Sequence, residues 1–177
     1  MALTSANVRV AVSGEISVGE TTATAPTSTT STLTGFAGLG YISPDGIEES
    51  PDVTREALTA WQNSATVREN VTEAKLTYTF TLIETTLDTV KAYYGSTVTQ
   101  TTAHGTYTIT VAATNGRKSY TIDIIDGAQK KRVYIAEGEI FKGDGVTYAN
   151  GEAIGYPCEL VCYTDPVVWD TALKSVA

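Results

Sequence analysis

A chain of 177 residues with a formal net charge of −8 can bury a substantial core, but it lacks the basic stripe that a nucleic-acid grip requires. No stretch has the apolar length that spans a bilayer, and the N-terminus MALTSANVRV has no apolar signal core, so no Sec export is expected. About one residue in six is threonine, a β-branched residue suited to pleated surfaces; with fifteen glycines, this favours a mainly β, antiparallel sandwich or barrel built as one domain over 1–177.

In chain order, Val8, Val10 and Val12 are in phase, and Ile16 and Val18 follow Gly14, as in a first hairpin or a bent strand. Residues 20–35, ETTATAPTSTTSTLTG, are small, polar and low in complexity. They read either as a surface loop or as an arm that orders against a partner. Pro44-Asp45-Gly46 is a turn signal, since Pro presets φ and Gly accepts a positive φ. It predicts a hairpin with Tyr41–Ser43 and Ile47–Ser50 as its arms. Over 54–66, Leu58, Trp61 and Ala65 would share a helix face, but Leu58 and Ala60 also alternate and Asn63-Ser64 can turn the chain; strand–turn–strand is favoured.

The run LTYTFTLIETTLDTVKAYYG (76–95) changes period midway. Leu76, Tyr78, Phe80 and Leu82 alternate with Thr77, Thr79 and Thr81, as in a half-buried strand. Leu87, Val90 and Tyr94 then recur at helical spacing, predicting a short helix over about 86–94 that lies as a lid on the oily face of the sheet. Thr85 and Asp88 form a capping-box pattern at its start, and Gly95 ends it.

Asn115-Gly116 is the favoured two-residue hairpin turn. Pairing Thr114 with Arg117 sets Val111 against Tyr120, Ile109 against Ile122 and Tyr107 against Ile124. The opposite face then carries Thr108, Thr110, Thr121 and Asp123. A turn at Gly127-Ala128 adds a third strand, with Ile122 against Val133 and Tyr120 against Ile135. QKKR (129–132) is the one basic run, either a solvated turn or an ion-pairing contact with another subunit through Lys130, Lys131 and Arg132. A last strand pair ends in AIGYPCELVCY, where Ile154, Tyr156, Cys158, Leu160 and Cys162 are in phase and Pro157 suggests an edge or a bulge. Thr164 or Asp165 can cap a short C-terminal helix with Pro166 in its first position, Trp169, Leu173 and Val176 on one face, docked on the body.

The chemistry of enzymes is missing. The single histidine, His104, has no signature around it and reads as a turn residue, and there is no nucleophile elbow, zinc helix, phosphate loop or dinucleotide fingerprint. Cys158 and Cys162 lie on one strand about 13 Å apart, too far to bridge, and read as buried structural thiols. The acids of DGIEES lack the spacing of a calcium loop. No metal and no cofactor are expected.

The order GYISPDGI, LTAWQNS, LTYTFTLIETTLDTVKAYYG resembles the major tail tube proteins of long, flexible-tailed bacteriophages, especially those of actinobacterial phages, over about residues 36–165. The resemblance implies a sandwich or barrel with one flanking helix and six-membered rings stacked into a hollow tube. It implies a tape-measure protein in the lumen, later passage of double-stranded DNA, and neighbours in the tail terminator and baseplate or distal tail proteins. The protein would then sit in the virion tail after assembly in the host cytoplasm, without a membrane anchor. On this reading, Thr108, Thr110, Thr121 and Asp123 face the lumen, and an acidic wall repels phosphate. Contacts between subunits or rings fall to Ser43, Pro44, Asp45, Gly46, Lys130, Lys131, Arg132 and Trp169, within loops 20–34, 43–49 and 165–177. The competing readings are a virion decoration or glycan-binding adhesion module and a tube protein of the type VI secretion kind.

Overall fold

The alternation of Tyr78, Phe80 and Leu82 becomes one row of a buried core that runs across the whole protein. The structure is a computed structural model describing residues 8–110 and 114–173. Its strands are β1 (Ser13–Gly19), β2 (Phe36–Gly38), β3 (Ile42–Thr59), β4 (Thr66–Leu82), β5 (Val98–Gln100), β6 (Gly105–Tyr107), β7 (Lys118–Asp126), β8 (Gln129–Lys142), β9 (Tyr156–Cys162) and β10 (Val167–Asp170). The main sheet is antiparallel in the order β2-β1-β7-β8-β9-β4-β3. β10 shares one edge of the long strand β8 with β9, taking residues 131–134 while β9 takes 138–142.

One face of the sheet is oily. Ile16, Tyr120, Ile122, Val133, Ile135, Ile140, Tyr156, Cys158 and Leu160 join the β4 row there. The helix α1 (Leu87–Tyr94) closes over it through Val90, Tyr93 and Tyr94, and Tyr93 and Tyr94 meet Tyr156 edge-on. The sheet curls until β1 nears β3, so that a Cβ on Gly14 would lie 3.8 Å from Ile47 Cδ1, but it does not close into a barrel.

Several expectations hold. Ile122 pairs with Val133 and Tyr120 with Ile135. Residues 54–66 are strand–turn–strand, with Asn63 and Ser64 at φ 55° and 50°. Gly95 ends α1 in the left-handed region and its N–H donates to Lys91 O.

Others are corrected. The cap of α1 is Thr86, one residue later than expected, and its hydroxyl accepts from the Thr89 N–H while Thr89 Oγ1 donates to Leu39 O. Leu87 is only half-buried; Thr89 and Tyr93 take the buried places beside Val90 and Tyr94. Pro44-Asp45-Gly46 makes no hairpin: Ile42 pairs with Leu82 and Ile47 with Phe80, so 43–46 is a bulge inside β3, with Gly46 at φ 79°. Pro157 is not on an edge, since β9 lies between β8 and β4; it stands second in the strand, where its missing N–H costs little.

The hairpin expected around Asn115-Gly116 does not form. Tyr107 pairs with Val98 in a separate two-stranded sheet, and β1 takes the place beside β7, with Ile16 opposite Ile122 and Ser17 opposite Thr121. Val111 lies outside the described residues. Asn115 is drawn elsewhere, its side-chain amide donating to Ala92 O and Ile140 O. No C-terminal helix forms among the described residues: Val167–Asp170 is strand β10, followed by a 3-10 turn at Thr171–Leu173. Two adjacent valines favour a strand, and the edge of β8 beyond β9 supplies the partner. Val176 lies outside the described residues.

Candidate assembly surface

β4 pairs with β9 only from Leu76 to Leu82. Beyond Leu76, β3 and β4 run on together as a two-stranded arm to Thr59 and Thr66, closed by Ala60 N–H donating to Ala65 O at 2.8 Å. Eight residues from Asp52 to Thr59 make it roughly 25 Å long. Both faces are exposed along its length. An isolated two-stranded ribbon is marginal in water, so this arm has reason to seek a partner.

The arm carries exposed apolar side chains on both faces, with Leu58 and Val67 exposed as well as Val53 and Val71. Pro51 pairs with Leu76 and Val53 with Ala74, so the oily face of the body continues outward along it. Val53 and Val71 remain 47% and 59% exposed there, with nothing of the subunit's own to cover them. Trp61 stands at the tip, 99% exposed. Single exposed apolar residues are ordinary, but a strip continuous with a core is the mark of an interface.

The opposite face is polar in its β3–β4–β9 half. Glu48, Thr79 and Glu159 form one transverse row, with Phe141 of β8 at its end. Lys75 lies 3.6 Å from Glu159. In its β1–β7–β8 half the same face is covered by residues 26–34, which act as a strap. Arg132 holds it: Nη1 donates to Ser31 O at 2.7 Å and Ser28 O at 3.2 Å, while Nε and Nη2 each reach Asp123 at 2.7 Å. Lys130 adds a second cation on Asp123 at 2.7 Å. Burial alone would raise the Asp123 carboxyl, but the hydrogen bonds and charges of Arg132 and Lys130 outweigh it and hold the group below the usual carboxylate range. The hydrogen bond to Asp123 correspondingly raises Arg132.

Residues 1–168 match the family described as phage tail tube protein. The chain belongs to that family. No curated protein matches it. Tail tube proteins are structural components of the virion tail rather than enzymes, and they assemble with themselves into a tube alongside other tail proteins.

The residues singled out in this tail tube protein fall into different settings. Thr121 and Asp123 are buried under the strap, whereas Thr108 and Thr110 are exposed. Thr108 O accepts from Ser96 Oγ and Thr110 O from Lys142 Nζ, so the four do not share one sheet face. Lys130 and Arg132 are consumed by the internal pair with Asp123, and Lys131 is half-buried opposite Ile124 and Asp170. Trp169 is half-buried on β10 opposite Arg132. Pro44, Asp45 and Gly46 form an exposed bulge, with Ser43 Oγ donating to Asp45 at 3.1 Å. Cys158 and Cys162 are free, and burial pushes both thiols up to about 12. Val53, Val71 and Trp61 were not anticipated as a surface. The signal was present in the alternation over 51–59, but a strand pattern does not reveal that the strand outruns its sheet.

Proposed function

We propose that this protein is the repeating subunit of a tail tube made of stacked hexameric rings, and that double-stranded DNA passes through the bore after a tape-measure protein leaves it. The arm carries this reading. It extends the core face past the body and leaves Val53 and Val71 open, as a subunit completed by its neighbour would. The uncapped edge of β3 supports it too, because edge pairing that is closed by ring symmetry avoids open-ended aggregation. Tail terminator and baseplate or distal tail proteins would occupy the tube's ends, with assembly in the host cytoplasm.

For the bore we propose the exposed polar face around Glu48, Thr79 and Glu159, since Thr121 and Asp123 lie beneath the strap within the subunit. Glu48 on this face repels a polyanion, while Lys75 offsets the charge of Glu159. Negative-stain microscopy of the purified protein tests the assembly: rings or tubes are expected, and discrete particles under all conditions favour the adhesion module instead. Thr79→Lys in assembled tails is expected to slow DNA ejection. An unchanged ejection rate removes Thr79 from the bore.

A further inference from the structure

Two asparagines of the chain, Asn115 and Asn150, are followed by glycine. Asn-Gly turns tightly, and it is also the pair most open to attack by the backbone on the side chain, because glycine has no Cβ to block the approach. The two glycines are alike: Gly116 and Gly151 stand at φ 68° and 84°, and a Cβ on either would meet nothing within 4 Å. The asparagines differ. Asn150 is exposed in a turn between β8 and β9, where its side chain can rotate in solvent. Asn115 is half-buried and tied at both hydrogens of Nδ2. One goes to Ala92 O, a carbonyl of the last turn of α1, and the other to Ile140 O at 2.8 Å, beyond Gly138 where β8 stops pairing with β7. This amide thus latches the lid helix to the sheet, and its Oδ1 is buried without a donor.

We propose that Asn150–Gly151 is a site of spontaneous deamidation in the folded protein, while the latch keeps the chemically equivalent Asn115–Gly116 intact. The Gly151 backbone nitrogen gives its proton to solvent and attacks Asn150 Cγ. The N–Cγ bond forms, the Cγ–Nδ2 bond breaks, and ammonia leaves with a proton returned by solvent. Water then opens the cyclic imide. Attack at Cγ leaves aspartate, and attack at the Asn150 backbone carbonyl leaves isoaspartate, with the chain running through the side chain. Amide and water become carboxylate and ammonium, so each event adds one negative charge to the loop between β8 and β9. At Asn115 the same step meets two obstacles. Its side chain cannot turn or lose its nitrogen without breaking both hydrogen bonds. The oxyanion that forms at Oδ1 would also be buried without a donor, whereas water solvates it at Asn150. The product is disfavoured too, since its carboxylate would face two carbonyls at the negative end of α1.

The test follows both sites in the full wild-type chain at pH 8, folded and in guanidinium chloride, by peptide mapping that separates asparagine, aspartate and isoaspartate. In the folded chain Asn150 is expected to convert, and Asn115 to convert more slowly by on the order of tenfold or more, since two hydrogen bonds must first break. In denaturant the two rates should be similar, because the latch is gone. Asn115→Asp installs the product directly: hydrogen exchange should show the amides of α1 losing protection while those of β7 and β8 keep theirs. Asn150→Asp should keep the wild-type melting profile, because that side chain is exposed. Equal conversion of the two sites in the folded chain overturns the protection, and this comparison stands whether or not Asn115→Asp folds. An Asn150 that reacts only after denaturation, or in neither condition, overturns the site. Unchanged protection of α1 in a folded Asn115→Asp variant overturns the latch.

Discussion

Arg132→Ala removes the clamp between the strap and the sheet. In the native subunit the Asp123 and Arg132 side chains are 5% and 4% exposed, and three guanidinium nitrogens serve a carboxylate and two carbonyls. Deleting one partner of a buried ion pair leaves the other charged and underpartnered, a loss of about 3–5 kcal/mol. Lys130 remains on Asp123 at 2.7 Å, so the expected loss sits toward the lower end, about 3 kcal/mol. Urea unfolding at neutral pH measures it as a lower midpoint at unchanged slope. Hydrogen exchange should show amides of 26–34 losing protection first, because Ser28 O and Ser31 O lose their donor. The pH dependence has a fixed sign. The folded Asp123 carboxyl lies below its unfolded value of about 3.9, so its stabilisation is complete above that value. It is lost as pH falls through the folded value. The variant's curve should therefore fall less steeply than the wild type's below about pH 4. A loss under about 1 kcal/mol, or equal acid slopes in both proteins, would refute the clamp.

Val53→Asp with Val71→Asp should leave the melting temperature of the dispersed subunit nearly unchanged, because both side chains are already largely exposed, while abolishing sedimentable assemblies. Gly95→Ala places a Cβ in left-handed backbone at φ 64°, with Thr114 O only 3.1 Å away, so a loss of about 1–3 kcal/mol is expected by urea titration. With both thiols pushed up to about 12 by burial, Cys158 and Cys162 should resist a thiol reagent at pH 8 in the folded protein and react fully after denaturation. Fast labelling of Cys158 in the native state would contradict its burial.

Local order was legible wherever neighbouring residues in the chain settle it. The period change at 76–95 gave both the strand and the helix, and Gly95 its end, since alternation and left-handed backbone are properties of a few consecutive residues. The Gly127 turn fixed the β7–β8 register for the same reason. The partner of a strand is another matter. Ile109 and Ile16 offer Ile122 equally apolar neighbours, and only the whole sheet decides for Ile16. The C-terminal strand likewise depends on β8 having an edge left open after β9 ends.

Function divided along the same line. The order of segments along the chain carried the resemblance to the tail tube family, whereas composition and acidity pointed only to a mainly β protein without a nucleic-acid grip. Tertiary structure decided which polar face is open. Thr121 and Asp123 alternate as an exposed face would, but the strap buries them, drawn down by an arginine nine residues from its carboxylate in sequence and about a hundred from the carbonyls it binds. It also decided that β3 and β4 outrun their sheet. An alternating segment carries no record of where its neighbour stops, so Val53, Val71 and Trp61 stand out as an exposed arm only once β9 is seen to end at Cys162, opposite Leu76.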